Sequence, residues 1–158
     1  MHFVMIRKAR PSDAEGLAKL YLQFWEAHRK SDPLLRLRKK PSLAGEAKAA
    51  KKDLRKRNCT IFVALEQGNV VGFIDLLVKK NDQMFVVKEY GYVDSLVVDR
   101  EHRKKGIASA LVRYGMSYLK GKGIGDVKLN LYCSNRAAMA VWRRLGFREI
   151  SKNMIRKI

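Results

Sequence analysis

A chain of 158 residues with 47% apolar side chains is long enough to bury one hydrophobic core and too apolar to be disordered. Its 34 Lys and Arg against 15 Asp and Glu leave a formal charge of +19, which suits anionic partners or the charged surface of a heat-adapted protein and disfavours cationic ones. With no apolar run near the roughly 20 residues of a membrane span, no signal-peptide core in MHFVMIRKAR and no metal-ligand spacing between Cys59 and Cys133, the expectation is a single cytoplasmic domain over 1–158. Both thiols are expected to be buried and reduced.

Phe3 to Ala9 alternates as a first strand. Pro11-Ser12-Asp13-Ala14-Glu15 opens a helix, with Ser12 as N-cap and Glu15 as its capping-box partner. Leu17, Leu20, Tyr21, Phe24 and His28 recur at helical spacing as its buried face. Pro33 ends it by disfavouring helical geometry at Asp32. Leu34 to Pro41 is basic and irregular. A second helix covers Ala44 to Arg57, with Ala47, Ala50 and Leu54 as a narrow apolar stripe and Lys48, Lys51, Lys52, Arg55 and Lys56 facing outward. This densest basic patch reads as a solvated helix face in preference to a dedicated binding surface.

Thr60 to Leu65 and Val70 to Val78 flank the hairpin signal Gln67-Gly68-Asn69. A turn at Lys80 to Gln83 leads into a long β-rich run, Met84 to Val98, interrupted near Gly91. The helix after Gly106 carries Ile107, Leu111, Met116 and Leu119 and stops at Gly121-Lys122-Gly123. Val127 to Cys133 is a strand, with Val127, Leu129, Leu131 and Cys133 on one face and Lys128, Asn130, Tyr132 and Ser134 on the other. Asn135 caps a helix through Leu145, stopped by Gly146, and Phe147 to Ile158 supplies one or two closing strands bent around Lys152-Asn153. The order β-α-α-β-β-β-α-β-α-β implies an α/β (α+β) fold with helices packed on a mixed sheet.

Function concentrates between Tyr92 and Val112, YVDSLVVDREHRKKGIASALV, a strand, a basic turn and an amphipathic helix in direct succession. Gly106 permits positive φ and close backbone approach, successive N–H groups can form an anion nest, and the helix adds about half a positive charge at its N-terminus. Arg103, Lys104 and Lys105 add full charges. The combination suits a pyrophosphate. A phosphate loop of the Gly-x-x-x-x-Gly-Lys-Ser/Thr kind is absent from the sequence.

Arg103-Lys104-Lys105-Gly106-Ile107-Ala108 fits the pattern Gln or Arg, two residues, Gly, one residue, Gly or Ala, and it follows Leu96-Val97-Val98-Asp99. A second stretch, Asn135-Arg136-Ala137-Ala138-Met139 through Leu145-Gly146-Phe147, fits a helix opened by asparagine and closed by Gly-Phe. In these two motifs, in this order, the chain resembles the GNAT superfamily of N-acetyltransferases. The resemblance implies a mixed, mostly antiparallel sheet of six to seven strands flanked by about four helices. It also implies acetyl-CoA as acetyl donor, lying where the fourth and fifth strands part. Leu96, Val97 and Val98 would pair with the pantetheine arm, the turn carrying Arg103, Lys104, Lys105, Gly106, Ile107, Ala108 and Ser109 would hold the pyrophosphate, and Asn135 would contact the cofactor near the pantetheine.

The implied reaction is direct attack of a primary amine on the thioester, with no metal and no covalent enzyme intermediate. Asp94, in the strand where related enzymes often carry an acid, is the candidate base, and it shares a face with Leu96 and Val98 if no bulge intervenes. A structural aspartate capping a nearby amide is the alternative. Trp142 stands where many members carry a tyrosine as general acid. An indole N–H donates a hydrogen bond but delivers no proton at neutral pH, so Trp142 stabilises the sulfur or fills the core. Tyr132 is the substitute acid by position, or else an ordinary half-buried strand tyrosine. Asn130 replaces the glutamate of ribosomal-protein acetyltransferases, which argues against that subfamily. Glu26, His28 and Asp32 lie where the family commonly builds its acceptor side. A monomer or homodimer is expected. Two alternatives stay open: an acyl-CoA-binding protein without turnover, and a basic nucleic-acid-binding module, although no helix-turn-helix, zinc or RNA-binding signature is present.

Overall fold

Five strands form one sheet in the order β1-β2-β3-β4-β5. In the computed structural model, which describes residues 4–35 and 40–158, these are β1 (Met5–Lys8), β2 (Cys59–Glu66), β3 (Asn69–Lys80), β4 (Glu89–Val98) and β5 (Val127–Leu129). The first four run antiparallel to their neighbours, and β5 lies parallel to β4. The helices are α1 (Ala14–His28), α2 (Leu43–Asp53), α3 (Ile107–Gly121) and α4 (Arg136–Arg144). Phe3, at the head of the predicted first strand, and Arg36 to Lys39, inside the basic stretch before α2, lie outside the described residues.

Both faces of the sheet are covered, which is why β2 reads CTIFVALE, a continuous apolar run without alternation. On one face Leu17 and Leu20 of α1 and Ala50 of α2 pack on Ile61, Val63, Phe73 and Val97. On the other, Leu111, Val112 and Leu119 of α3 and Trp142 of α4 pack on Phe62, Ile74, Leu76 and Val93. Gly91 sets the closeness of the second layer: a Cβ built there would stand 2.7 Å from Leu119 Cδ1 and 3.1 Å from Val127 Cγ2. The outward lysines of α2 are exposed, and Ser42 Oγ caps this helix by accepting from the Gly45 N–H at 3.1 Å. Among the described residues no helix is long and apolar enough to cross a membrane.

Several expectations need correction. Among the described residues the sheet has five strands, not six to seven, because Phe147 to Ile158 forms none. Ile150, Met154 and Ile155 there are 63%, 96% and 59% exposed. A strand needs an edge to pair with, and β5 offers only three residues. β5 itself ends at Leu129, not Cys133, and Cys133 is exposed. Met84 to Val87 is an exposed turn; β4 starts at Glu89 and runs through Gly91 without a break. Ser12 does not cap α1. Pro11–Asp13 forms a 3-10 turn, and Asp13 is the residue that works: it accepts from the Arg10 N–H at 2.7 Å and from both Arg7 guanidinium nitrogens at 2.7 and 2.9 Å. The Arg7 hydrogen bonds hold the Asp13 carboxyl below the usual carboxylate range against the opposing effect of burial. Glu15 pairs instead with Lys19, one turn along the helix.

Candidate functional site

The site begins with a miscount in the ladder between β3 and β4. Asp75 pairs with Ser95, but the next residue, Leu76, pairs with Val93, so Asp94 is an extra residue in β4. A β-bulge of this kind bends its strand and sharpens its twist. The pairing of β4 with β5 runs from Gly91↔Val127 to Val93↔Leu129 and ends there, one residue short of the bulge. From Asp94 to Val98 the outer edge of β4 has no strand partner among the described residues.

The bulge also shifts the phase of the strand. Val93 and Leu96, three residues apart, both pack on the α3 face, where strict alternation would separate them, and Val97 packs under α1. The condition under which Asp94 shares a face with Leu96 and Val98 is therefore not met. Asp94 is exposed, and its charge acts on Asp75 and Tyr92.

At the far end of β4 the chain turns through a 3-10 segment, Arg100–His102, capped by Asp99 Oδ1 on the Glu101 N–H at 3.0 Å. Arg103 Nε donates to the Val98 carbonyl at 3.1 Å, folding the turn back on the strand end. Lys104 has φ +62° and Gly106 φ +80°, both left-handed, and α3 starts at Ile107. The Ala110 N–H is the one that bonds back to the Gly106 carbonyl (3.0 Å). The N–H groups ahead of it point out of the helix end without intrahelical acceptors. Ile107 is buried and anchors the helix, Ala108 and Ser109 are half-buried, and Arg103 to Gly106 are exposed. A Cβ built on Gly106 meets nothing within 4 Å, so the space before the turn is open. Clustered N–H groups, a helix dipole and three cationic side chains fit a diphosphate.

Asn135 caps α4, its Oδ1 accepting from the Ala138 N–H at 3.1 Å, and it is exposed. Trp142 is 7% exposed and meets Phe147 edge-on at 5.0 Å in the core beneath α3, so packing accounts for it. Tyr132 donates its hydroxyl to Asp32 Oδ2 at 3.2 Å and lies edge-on to His28 at 5.6 Å. His28 in turn stacks on Phe24 at 3.7 Å. Burial, then the hydrogen bond and charge of Asp32, raise the Tyr132 hydroxyl above its ordinary range. The structure thus joins two sequence candidates, Tyr132 and Asp32, and takes a third away: Glu26 pairs with Arg100 at 3.0 Å.

One buried group was not among the sequence candidates. Asp75, 4% exposed, accepts from Cys59 Sγ at 3.1 Å and Tyr21 Oη at 3.3 Å. Burial pushes its carboxyl up to about 6, and the charges of Asp94 and Asp53 act in the same direction, against the bonds from Cys59 and Tyr21. The thiol and the phenol are themselves driven upward by burial and by Asp75. The available signal was a lone acid inside the apolar run VVGFIDLLV.

The family model of the acetyltransferase (GNAT) family matches residues 15–147. The chain belongs to the GNAT family. The matched span holds the bulge, the parted strands, the basic turn and α4. Among relatives, the chain is similar to N-alpha-acetyltransferase MAK3 of Arabidopsis thaliana (36% identical over 86 residues, 54% of this chain and 43% of the relative). It is also similar to N-alpha-acetyltransferase 30 of Schizosaccharomyces pombe (31% over 86 residues, 54% of this chain and 55% of the relative). The chain thus spans about half the length of these relatives. A tetramutant of the BH1408 protein from Bacillus halodurans superposes with a TM-score of 0.86 at 21% identity, covering 98% of this chain and 99% of that one. Aminoglycoside N-acetyltransferase AAC(6')-Iy, solved in complex with CoA, gives a TM-score of 0.78 at 17% identity, covering 99% and 95%. These likenesses establish the GNAT fold.

Proposed function

We propose that this GNAT protein is an N-acetyltransferase that moves an acetyl group from acetyl-CoA to a primary amine. The observation that carries the reading is the parting of β4 from β5 at the Asp94 bulge, in a strand that leads into the N–H-rich turn. Arg103 to Ser109 would hold the pyrophosphate, the open edge of Leu96, Val97 and Val98 the pantetheine, and Asn135 the pantetheine's other side. Bound there, acetyl-CoA supplies an activated acetyl thioester. A free backbone N–H on that edge can polarise a carbonyl oxygen.

The protein must also strip the acceptor of its proton, since a lysine-type amine has a reference pKa of about 10.4. Asp94, exposed beside the parting strands, takes that proton directly or through water. Tyr132, the substitute-acid candidate, gives its one hydroxyl proton to Asp32 and so holds that carboxylate in place on the acceptor side. Relatives named as N-alpha-acetyltransferases point to a peptide amine as acceptor, and the charge of +19 favours acidic or neutral acceptors over polyamines. A cytoplasmic location belongs to the same reading, with Cys59 and Cys133 both free.

The test is a panel of peptide and small-molecule amines with free thiol release as the signal. Release with any acceptor supports the reading. No release, together with no rise in melting temperature at millimolar acetyl-CoA, rejects it. Asp94→Asn is expected to lower kcat about 10²–10⁴-fold while acetyl-CoA affinity and melting temperature hold; an unaltered pH–rate profile would remove Asp94 from the role. Trp142→Phe should keep kcat and lose stability, and Trp142→Ala should cost about 3–5 kcal/mol. A large fall in kcat at unchanged melting temperature for Trp142→Phe would place the indole at the reacting sulfur instead.

A further inference from the structure

His102 sits between two carboxylates. Its Nδ1 is 2.9 Å from Asp99 Oδ1, and its Nε2 is 2.9 Å from Glu66 Oε2. All three side chains are largely shielded, with relative exposures of 22%, 24% and 21%. Asp99 directly follows β4, Glu66 pairs with Asn69 at the close of the β2–β3 hairpin, and Asp99 Oδ2 also accepts from Gln23 Nε2 of α1 at 2.8 Å. One chain of contacts, Glu66–His102–Asp99–Gln23, therefore ties three elements together at the end of the sheet where the phosphate-binding turn begins. Arg103, the first residue of that turn, is the next residue after the ring.

A neutral imidazole carries one N–H and can satisfy one carboxylate; the other nitrogen then faces an oxygen with its lone pair. The imidazolium has two N–H donors and satisfies both, with charge-assisted hydrogen bonds. We infer that His102 is a positioning residue that works as an imidazolium strut, fixing the Arg103–Ser109 turn for an anionic diphosphate and loosening it when the ring loses its proton. Histidine is the side chain whose charge changes between about pH 5 and 8. The charged residues next to His102 in the chain are Arg100, Glu101 and Arg103, and Arg100 in turn holds Glu26 of α1 at 3.0 Å. Asp99 behaves accordingly: burial alone would raise its carboxyl, but the bonds from His102, Gln23 and the Glu101 N–H hold it below its ordinary value.

The inference rests on the acetyl-CoA reading for its functional meaning, and its test separates the two. The native protein and the His102→Gln and Glu66→Gln variants are followed from pH 5.5 to 8.5 by imidazole ¹⁵N NMR, by amide exchange at Lys104 to Ser109 and by CoA affinity. The expected result is a native ring with N–H on both nitrogens wherever the turn exchanges slowly, with faster exchange in the turn and CoA affinity about tenfold weaker where one N–H is lost. His102→Gln should bind at the weaker level throughout, with a flattened pH profile. Each wild-type–variant difference cancels the titration of CoA's own phosphates. A native ring with a single N–H while the turn still exchanges slowly, or turn exchange with the same pH dependence in native protein and His102→Gln, overturns the strut. A doubly protonated ring with pH-linked exchange and no CoA affinity at any pH upholds the strut and defeats the acetyl-CoA reading.

Discussion

Gly106→Val is expected to abolish the rise in melting temperature that acetyl-CoA produces. Gly106 has φ +80° and ψ 1° at the head of α3. Left-handed geometry costs an L-residue about 1–2 kcal/mol, and a β-branched one more. A valine there either holds that strain or flips the turn and disperses its N–H groups. Because a Cβ at Gly106 meets no atom within 4 Å, the substitution has no clash with the core, so the loss is one of binding and the fold survives. At a hundred times Kd, a ligand stabilises the native state by about 2.7 kcal/mol. For a chain of this size that corresponds to a shift of about 5–10 °C. Differential scanning fluorimetry with and without acetyl-CoA reads the effect directly, and Gly106→Ala should keep part of the shift. A native-sized shift in Gly106→Val would move the phosphates away from this turn.

Asp75 should give the protein a stability that falls between mildly acid and neutral pH. Its carboxyl is lifted from a reference value of 3.8 to about 6 in the folded state. The folded chain therefore holds this proton more tightly than the unfolded chain. The resulting stabilisation is fully present below the unfolded value and is lost as pH rises through about 6. A carboxyl lifted that far contributes about 3 kcal/mol. Asp13 and Asp99 are shifted the opposite way and gain stability as they ionise, so the comparison is made against Asp75→Asn, where only the one group is removed. Denaturant unfolding at pH 4 and pH 8 should show the difference between variant and native moving toward the variant by about 2.5 kcal/mol. A difference that stays constant between those pH values means that Asp75 does not titrate there.

The parts of this site that could be read from the sequence are local. The turn from Arg103 to Ser109 and the Asn135 cap each depend on a few consecutive residues, so their signal is contiguous. So does the Gln67-Gly68 hairpin. The bulge at Asp94 had no such signal, because it is a property of two strands counted against each other, and alternation within β4 alone looks regular. The Tyr132–Asp32 bond spans 100 residues and depends on how α1 meets the end of β5. His102 lies inside a stretch whose basic pattern comes from its neighbours, while Glu66, its second partner, belongs to another strand. Phe147 to Ile158 misled in the opposite direction: its composition suits a strand, but composition does not supply a neighbour.

The bulge makes the parting of β4 from β5 depend on parity more than on the identity of any side chain. Replacing Asp94 alters chemistry but leaves an odd residue in place, so the strands on either side keep their faces. Deleting it would restore even counting against β3. Val93 and Ser95 would then be neighbours opposite Leu76 and Asp75, so every side chain of β4 would keep its face, but the bend that the bulge puts into the strand would be lost. The geometry that opens the sheet is thus robust to substitution and fragile to the loss of one codon.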